Sequence, residues 1–128
     1  MKKKLTVKEI LESKGKKKLT QVYVHTPLEA NACEESGIDM IVSSENNNFK
    51  FLRENAINTF FTVGLQYGRY LSEYEIIKKS FQLLEMGADA IYCPQSARFI
   101  KAIANEGIPV VGHTGFIPYK LTQYGGVK

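Results

Sequence analysis

The chain has 128 residues, 44% of them hydrophobic and 23% charged, with a formal net charge of +4. That length and balance suit a single soluble domain, residues 1–128, with a sizeable core. They exclude a helical membrane protein, because no apolar run approaches the ~20 residues that a bilayer requires. The two cysteines, Cys33 and Cys93, have neither metal nor redox spacing, and the basic N-terminus lacks the apolar stretch of a secretion signal, so a reducing cytoplasmic setting is expected.

Seven of the 17 basic residues are Lys2, Lys3, Lys4, Lys14, Lys16, Lys17 and Lys18. They form two blocks flanking one short helix, without the interleaved aromatics of a nucleic-acid face. The expectation is a solvated, lysine-rich end and no nucleic-acid partner.

In chain order, Thr6-Val-Lys-Glu9 is a capping box that opens the first helix, with Val7, Ile10 and Leu11 as its apolar stripe and Gly15 near its end. Gln21–His25 predicts a strand, Leu28–Ser36 a helix after Pro27, and Gly37 its stop. One pattern then recurs: a helix closes on glycine and a short apolar strand follows at once, as in Gly37-IDMIV, Gly87-ADAIY and Gly107-IPVVG. Such strands, apolar without strict alternation, are expected where both faces of a sheet are covered. Between them the sequence predicts a short helix around Phe49–Asn55 and a strand at Thr59–Leu65. Two further helices are predicted, at Ser72–Met86 (Ile77, Phe81 and Leu84 on one face) and at Ser96–Glu106 (Phe99, Ile100 and Ile103 together). Gly125-Gly126-Val127-Lys128 is expected to cap no helix. The order, a helix followed by five alternating strands, implies parallel strands with helical crossovers, either an open doubly wound sheet or a barrel. Five strands are too few for a closed eight-stranded barrel, which usually takes about 250 residues, so the sequence is expected to be partial.

In parallel α/β architectures ligands bind beyond the carboxyl ends of the strands. His25, Ser44-Glu45-Asn46, Gly64–Tyr67, Cys93-Pro94 and Gly112-His113-Thr114 occupy those positions. Both histidines fall there, which makes His113 a candidate functional group. Glu45 is the one acidic residue in these segments and suits a hard cation with Asn and Ser oxygens beside it; a solvated turn built from Asn46–Asn48 is the alternative. Cys93 has no evident base and is expected to be a buried structural thiol. No glycine-rich phosphate loop is present.

Val110-Val-Gly-His-Thr-Gly-Phe-Ile-Pro118, followed by Gly125-Gly126-Val-Lys, resembles the segment after the fifth strand of ketopantoate hydroxymethyltransferase. Glu106-Gly107-Ile-Pro109, Gly87-Ala88-Asp89, Gly37 and the N-terminal capping helix extend the resemblance over nearly the whole chain. It implies the phosphoenolpyruvate/pyruvate type of (β/α)8 barrel, of which this chain is the N-terminal half. It also implies transfer of a one-carbon unit from methylenetetrahydrofolate to 3-methyl-2-oxobutanoate, Mg2+ as the ion that polarises the keto acid, and a homo-oligomer.

By the same resemblance, Glu45 falls on a metal-binding carboxylate, Ser44 and Asn46 on the substrate-binding loop, and His113 on a retained catalytic and substrate-binding histidine. A second metal aspartate falls on Gly64, and a lysine and a glutamate fall on Tyr92 and Pro94. With those groups replaced, the 128 residues alone are expected to be inactive. Two other readings accompany the first: another 2-oxo-acid enzyme of the same barrel superfamily, forming or breaking C–C bonds, and a non-catalytic half-barrel that associates with itself or a partner to cover open strand edges.

Overall fold

The computed structural model describes residues 2–127. Five parallel strands, β1 (Gln21–Tyr23), β2 (Met40–Ser44), β3 (Phe60–Gly64), β4 (Ala90–Cys93) and β5 (Val110–Gly112), form one sheet in the order β1-β2-β3-β4-β5. The helices are α1 (Val7–Glu12), α2 (Pro27–Ser36), α3 (Phe49–Glu54), α4 (Glu73–Glu85), α5 (Ala97–Asn105) and α6 (Leu121–Tyr124), the last preceded by a 3-10 turn at Pro118–Lys120. Strand order follows chain order with no reversal. A doubly wound sheet must reverse at a switch point, so this progression is that of half a TIM-type (β/α) barrel. Among the described residues, no helix is long and apolar enough to cross a membrane.

Local sequence explains the boundaries. Thr6 and Glu9 cap α1 reciprocally, and Ser72 and Glu75 do the same for α4. A third capping box, Thr26 with Glu29, starts α2 one residue earlier than its apolar pattern suggests, because Pro27 suits a helix's first position. Gly37, Gly87 and Gly107 all have positive φ, at 79°, 106° and 78°. The helix-to-strand punctuation therefore uses the left-handed conformation that glycine tolerates.

The parallel register sorts the strand residues into two faces. Ile41, Phe61, Val63, Ile91 and Cys93 point to the helices, where they are buried with Ala30, Phe49, Leu52, Ile76, Leu83 and Ile103. Gln21, Tyr23, Met40, Val42, Ser44, Phe60, Thr62, Gly64, Ala90, Tyr92 and Val111 share the opposite, inner face. Toward its amino-terminal end that face borders a cleft of about 420 Å³ also lined by Val7, Ile10 and Leu11, so α1 stands across the floor of the half-barrel.

Three expectations are corrected. Ile76, Ser80 and Leu83 form the buried stripe of α4; Ile77 and Leu84 flank it and Phe81 is half exposed. Two of the N-terminal lysines are not simply solvated. Lys2 donates to the Ile38 carbonyl and to Thr59 Oγ1 (2.8 Å), and Lys4 pairs with Asp89 at 2.6 Å. Asp89, at the foot of β4, also accepts from Arg53 (3.2 Å) and the Phe61 amide (2.9 Å), tying the N-terminal segment, α3 and two strands together. Finally, Gly125 does cap a helix: it closes α6 at φ 70°, and the Gly126 amide donates to the Leu121 carbonyl.

Candidate functional site

A cleft of about 690 Å³ opens at the carboxyl ends of the strands. Ser44 reaches it from the end of β2 and Asn46 from the following loop, Gln66 and Tyr67 follow β3, and His113 follows β5. The structure thus brings Ser44, Asn46 and His113 into one cavity. Ile117, Pro118 and Tyr119, from the segment after β5, form its roof. The Tyr119 ring stacks on Tyr67 with centroids 4.2 Å apart and planes 4° from parallel. Its remaining wall includes Val42, Leu65 and Val111, and among the described residues no Lys, Arg, Asp or Glu lines it.

His113 is held at both ring nitrogens. Nδ1 lies 2.6 Å from the Tyr92 hydroxyl and Nε2 lies 2.7 Å from the Phe116 carbonyl oxygen. Tyr92 stands on the inner face, in register with Gly64 on one side and Val111 on the other. The missing side chain at Gly64 is what admits its ring: a Cβ there would lie 3.3 Å from Tyr92 Cδ1. Burial pushes the Tyr92 phenol up, and Cys93 and Tyr119 push it in the same direction, so it stays protonated near neutral pH.

Glu45 does not face this cleft. Its side chain is 1% exposed. Its carboxylate accepts from the Gln66 amide (2.9 Å), the Tyr70 hydroxyl (2.5 Å) and Arg69 Nη1 (3.1 Å). Burial, with the Glu45 contact added, pushes the Tyr70 phenol up strongly, so it is a fixed donor. Arg69 also donates to Asn46 Oδ1 at 3.1 Å, and Asn46 Nδ2 donates to Gln66 Oε1. Glu45 is thus the buried anchor of the loop that carries Asn46 and Gln66. Among the described residues no three His, Cys, Asp or Glu side chains are grouped so as to hold a metal ion. With both Glu45 oxygens taken, the residues present do not fit a divalent cation.

His25, the other strand-end histidine, lies outside the cleft lining, its Nδ1 3.8 Å from Glu29 and its ring tilted against Tyr23. Cys93 is fully buried and burial pushes its thiol up, which leaves it inert. Tyr23 is a site residue that the sequence does not single out, Gln66 appears there only within the Gly64–Tyr67 strand end, and Tyr92 only as the position where the family's lysine falls. The available signal is parity: counting by two along parallel strands places Tyr92 beside Gly64 and Ser44 on the inner face.

The model of the family described as ketopantoate hydroxymethyltransferase matches residues 47–128. The chain belongs to the ketopantoate hydroxymethyltransferase family. It is similar to the 3-methyl-2-oxobutanoate hydroxymethyltransferases of Kosmotoga olearia (28% identical, covering 97% of this chain and 55% of that protein) and Thermosipho africanus (29%, 97% and 56%). The enzyme of that name from Pyrococcus furiosus is 26% identical over 97% of this chain and 52% of its own length. The chain therefore spans about half the length of these curated relatives. The matched stretch runs to 148 positions where the whole chain has 128 residues, so the relatives carry residues inside it that this chain lacks.

Proposed function

We propose that this chain forms the 2-oxo-acid-binding half of an enzyme that transfers a one-carbon unit from methylenetetrahydrofolate to 3-methyl-2-oxobutanoate. One observation carries the reading: in a member of this family, Ser44, Asn46 and His113 converge on a single cleft at the carboxyl ends of a parallel sheet. That is where such folds place their chemistry, and about 690 Å³ is ample for a small keto acid. The Ser44 hydroxyl and the Gln66 side-chain Nε2 supply donors for the carboxylate. Val42, Leu65 and Ile117 receive the branched alkyl end. Tyr92 and His113 lie together on the far side, and the roof at Ile117–Tyr119 keeps water from the bound ligand.

The resemblance implies Mg2+, but the donor set does not fit it, so no step is assigned to an ion. The work left to these side chains is binding, orientation and exclusion of water, through neutral donors and acceptors.

Calorimetry of 3-methyl-2-oxobutanoate with the polypeptide that carries these residues tests this reading. We expect saturable binding without added metal, weakened about tenfold by Ser44→Ala, the value of one neutral hydrogen bond. Absence of binding at millimolar ligand, or binding indifferent to Ser44, would overturn it. Tritium release from the same keto acid tests enolisation itself, and its absence would reject any reaction through the enolate.

A second reading is favoured by the sheet itself. Tyr23 and Val111 on its inner face are 47% and 48% exposed, at the two edge strands β1 and β5. We infer that this face is covered by association, with another copy or with further βα units.

A further inference from the structure

The contacts of His113 fix where its hydrogen lies. Nε2 is 2.7 Å from the Phe116 carbonyl oxygen. A carbonyl only accepts, so Nε2 carries the hydrogen. In the neutral imidazole Nδ1 is then a bare acceptor, and the Tyr92 hydroxyl, 2.6 Å away, donates its single hydrogen to it. The ring is fixed on the other side by its seat over Gly64. Tyr92 therefore turns only oxygen lone pairs toward the cleft.

Three other polar groups of the lining have the opposite polarity. Ser44 Oγ accepts from the Asn46 amide, and Tyr23 Oη accepts from Asn47 Nδ2, so each keeps its own hydrogen to give. Gln66 uses its Oε1 on Asn46, which leaves its Nε2 hydrogens for a ligand. One wall of the cleft thus donates, and the Tyr92 position accepts.

We propose that Tyr92 is a specificity-determining acceptor, selecting ligands that present a hydroxyl or N–H at that position. The cleft accordingly prefers a 2-oxo acid bearing a hydroxymethyl arm to the parent 2-oxo acid. The inference rests on the reading that the ligand is a small 2-oxo acid. The parent compound carries only acceptors, a carboxylate and a ketone. Against Tyr92 it buries oxygen against oxygen, and both lose their partners in water. A hydroxymethyl group supplies the missing donor. His113 acts through Tyr92 as a positioning residue, since both of its nitrogens are already engaged. The consequence for turnover is tight retention of the hydroxylated product.

Calorimetry of the full chain with 3-methyl-2-oxobutanoate and with its hydroxymethyl derivative tests the proposal. The derivative should bind about tenfold more tightly. Tyr92→Phe keeps the ring over Gly64 and should remove that difference while leaving the parent compound's affinity unchanged or improved. Nitrogen-15 NMR should show His113 protonated at Nε2 and bare at Nδ1, a readout that a merely structural role for Tyr92 does not require. If neither compound binds, the 2-oxo-acid reading falls and this inference with it. If both bind equally, or Tyr92→Phe keeps the preference, the 2-oxo-acid reading stands and the role of Tyr92 is overturned. A hydrogen on Nδ1 in place of Nε2 overturns it too.

Discussion

Glu45 shows how a residue's type and its surroundings can point to different work. As a lone carboxylate at a strand end it has the form of a metal ligand. In the fold it is buried and shared among the Gln66 amide, Tyr70 and Arg69. Glu45→Ala should therefore act on stability, at about 1–3 kcal/mol, by stranding the buried Tyr70 hydroxyl and freeing the loop. Urea unfolding measures this, and a variant as stable as the wild type would show the network to be idle. Gly64 makes the complementary case, since its neighbour there is a ring rather than an ion. In Gly64→Ala the new Cβ would stand 3.3 Å from Tyr92 Cδ1 and 3.5 Å from the Ser43 carbonyl oxygen. The ring must shift by a few tenths of an ångström, so the 2.6 Å contact to His113 should lengthen and weaken while the fold loses only about 1 kcal/mol. A changed His113 imidazole NMR signal with little change in melting temperature is the expected pair of results. The strand-end positions of Ser44, Asn46 and His113 were legible from the alternation of elements. The orientation of Glu45 was not, because it depends on Tyr70 and Arg69, some 25 residues along the chain, and no local pattern encodes that contact.

At the scale of elements, the strands and the α1 cap followed from short-range chemistry, whereas the Thr26–Glu29 box, the Gly125 cap and part of the helix faces did not. In α4 two adjacent pairs, Ile76-Ile77 and Leu83-Leu84, give an apolar stripe two residues wide. Periodicity alone does not say which member of each pair points inward. Ser80 decides it. Its hydroxyl donates to the Ile76 carbonyl at 2.7 Å, and its small side chain lets α4 lie close on the sheet. Ser80→Leu should cost about 1–3 kcal/mol through overpacking, whereas Phe81→Leu, at a half-exposed position, should cost less than about 1. The capping boxes carry a pH signature. The His25 and Thr26 amides hold the Glu29 carboxyl below its ordinary value of 4.5, and the Leu71 and Ser72 amides do the same for Glu75. A carboxyl lowered in the folded state stabilises the fold above its unfolded value, and that contribution is lost as pH falls through the folded value. Helicity followed by circular dichroism should thus be level from pH 7 to about 5 and decline below about 4.5, and a decline already complete at pH 5 would contradict the assignment.

Across the whole molecule, two surfaces of the sheet have had different fates. The helix-facing side is a closed core, where Ile91→Ala should cost about 2–5 kcal/mol. The floor is fastened by charge: Asp89 holds Lys4 and the largely buried Arg53, so the N-terminal lysines are stitching as well as solvation. The inner face is covered only in part, by α1 below and the Ile117–Tyr119 roof above. Between them Tyr23 and Val111 stay about half exposed at the sheet's two edge strands. In a complete (β/α)8 barrel, residues in these positions interdigitate in layers. An apolar face flanked by edge strands carries a driving force of about 25 cal/mol for each Å² it can hide, and unpaired strand edges add hydrogen-bonding capacity. As a separate polypeptide the 14.4 kDa chain should therefore sediment above its monomer mass at tens of micromolar. Val111→Lys, which places a charge on that face without touching the helix-side core, should return it to monomer and leave its melting temperature within a few degrees. Sedimentation equilibrium across a hundredfold range of concentration measures both. A wild-type chain that stays monomeric throughout would mean that the inner face is satisfied within one molecule, with the roof and α1 covering more of it than their present positions do.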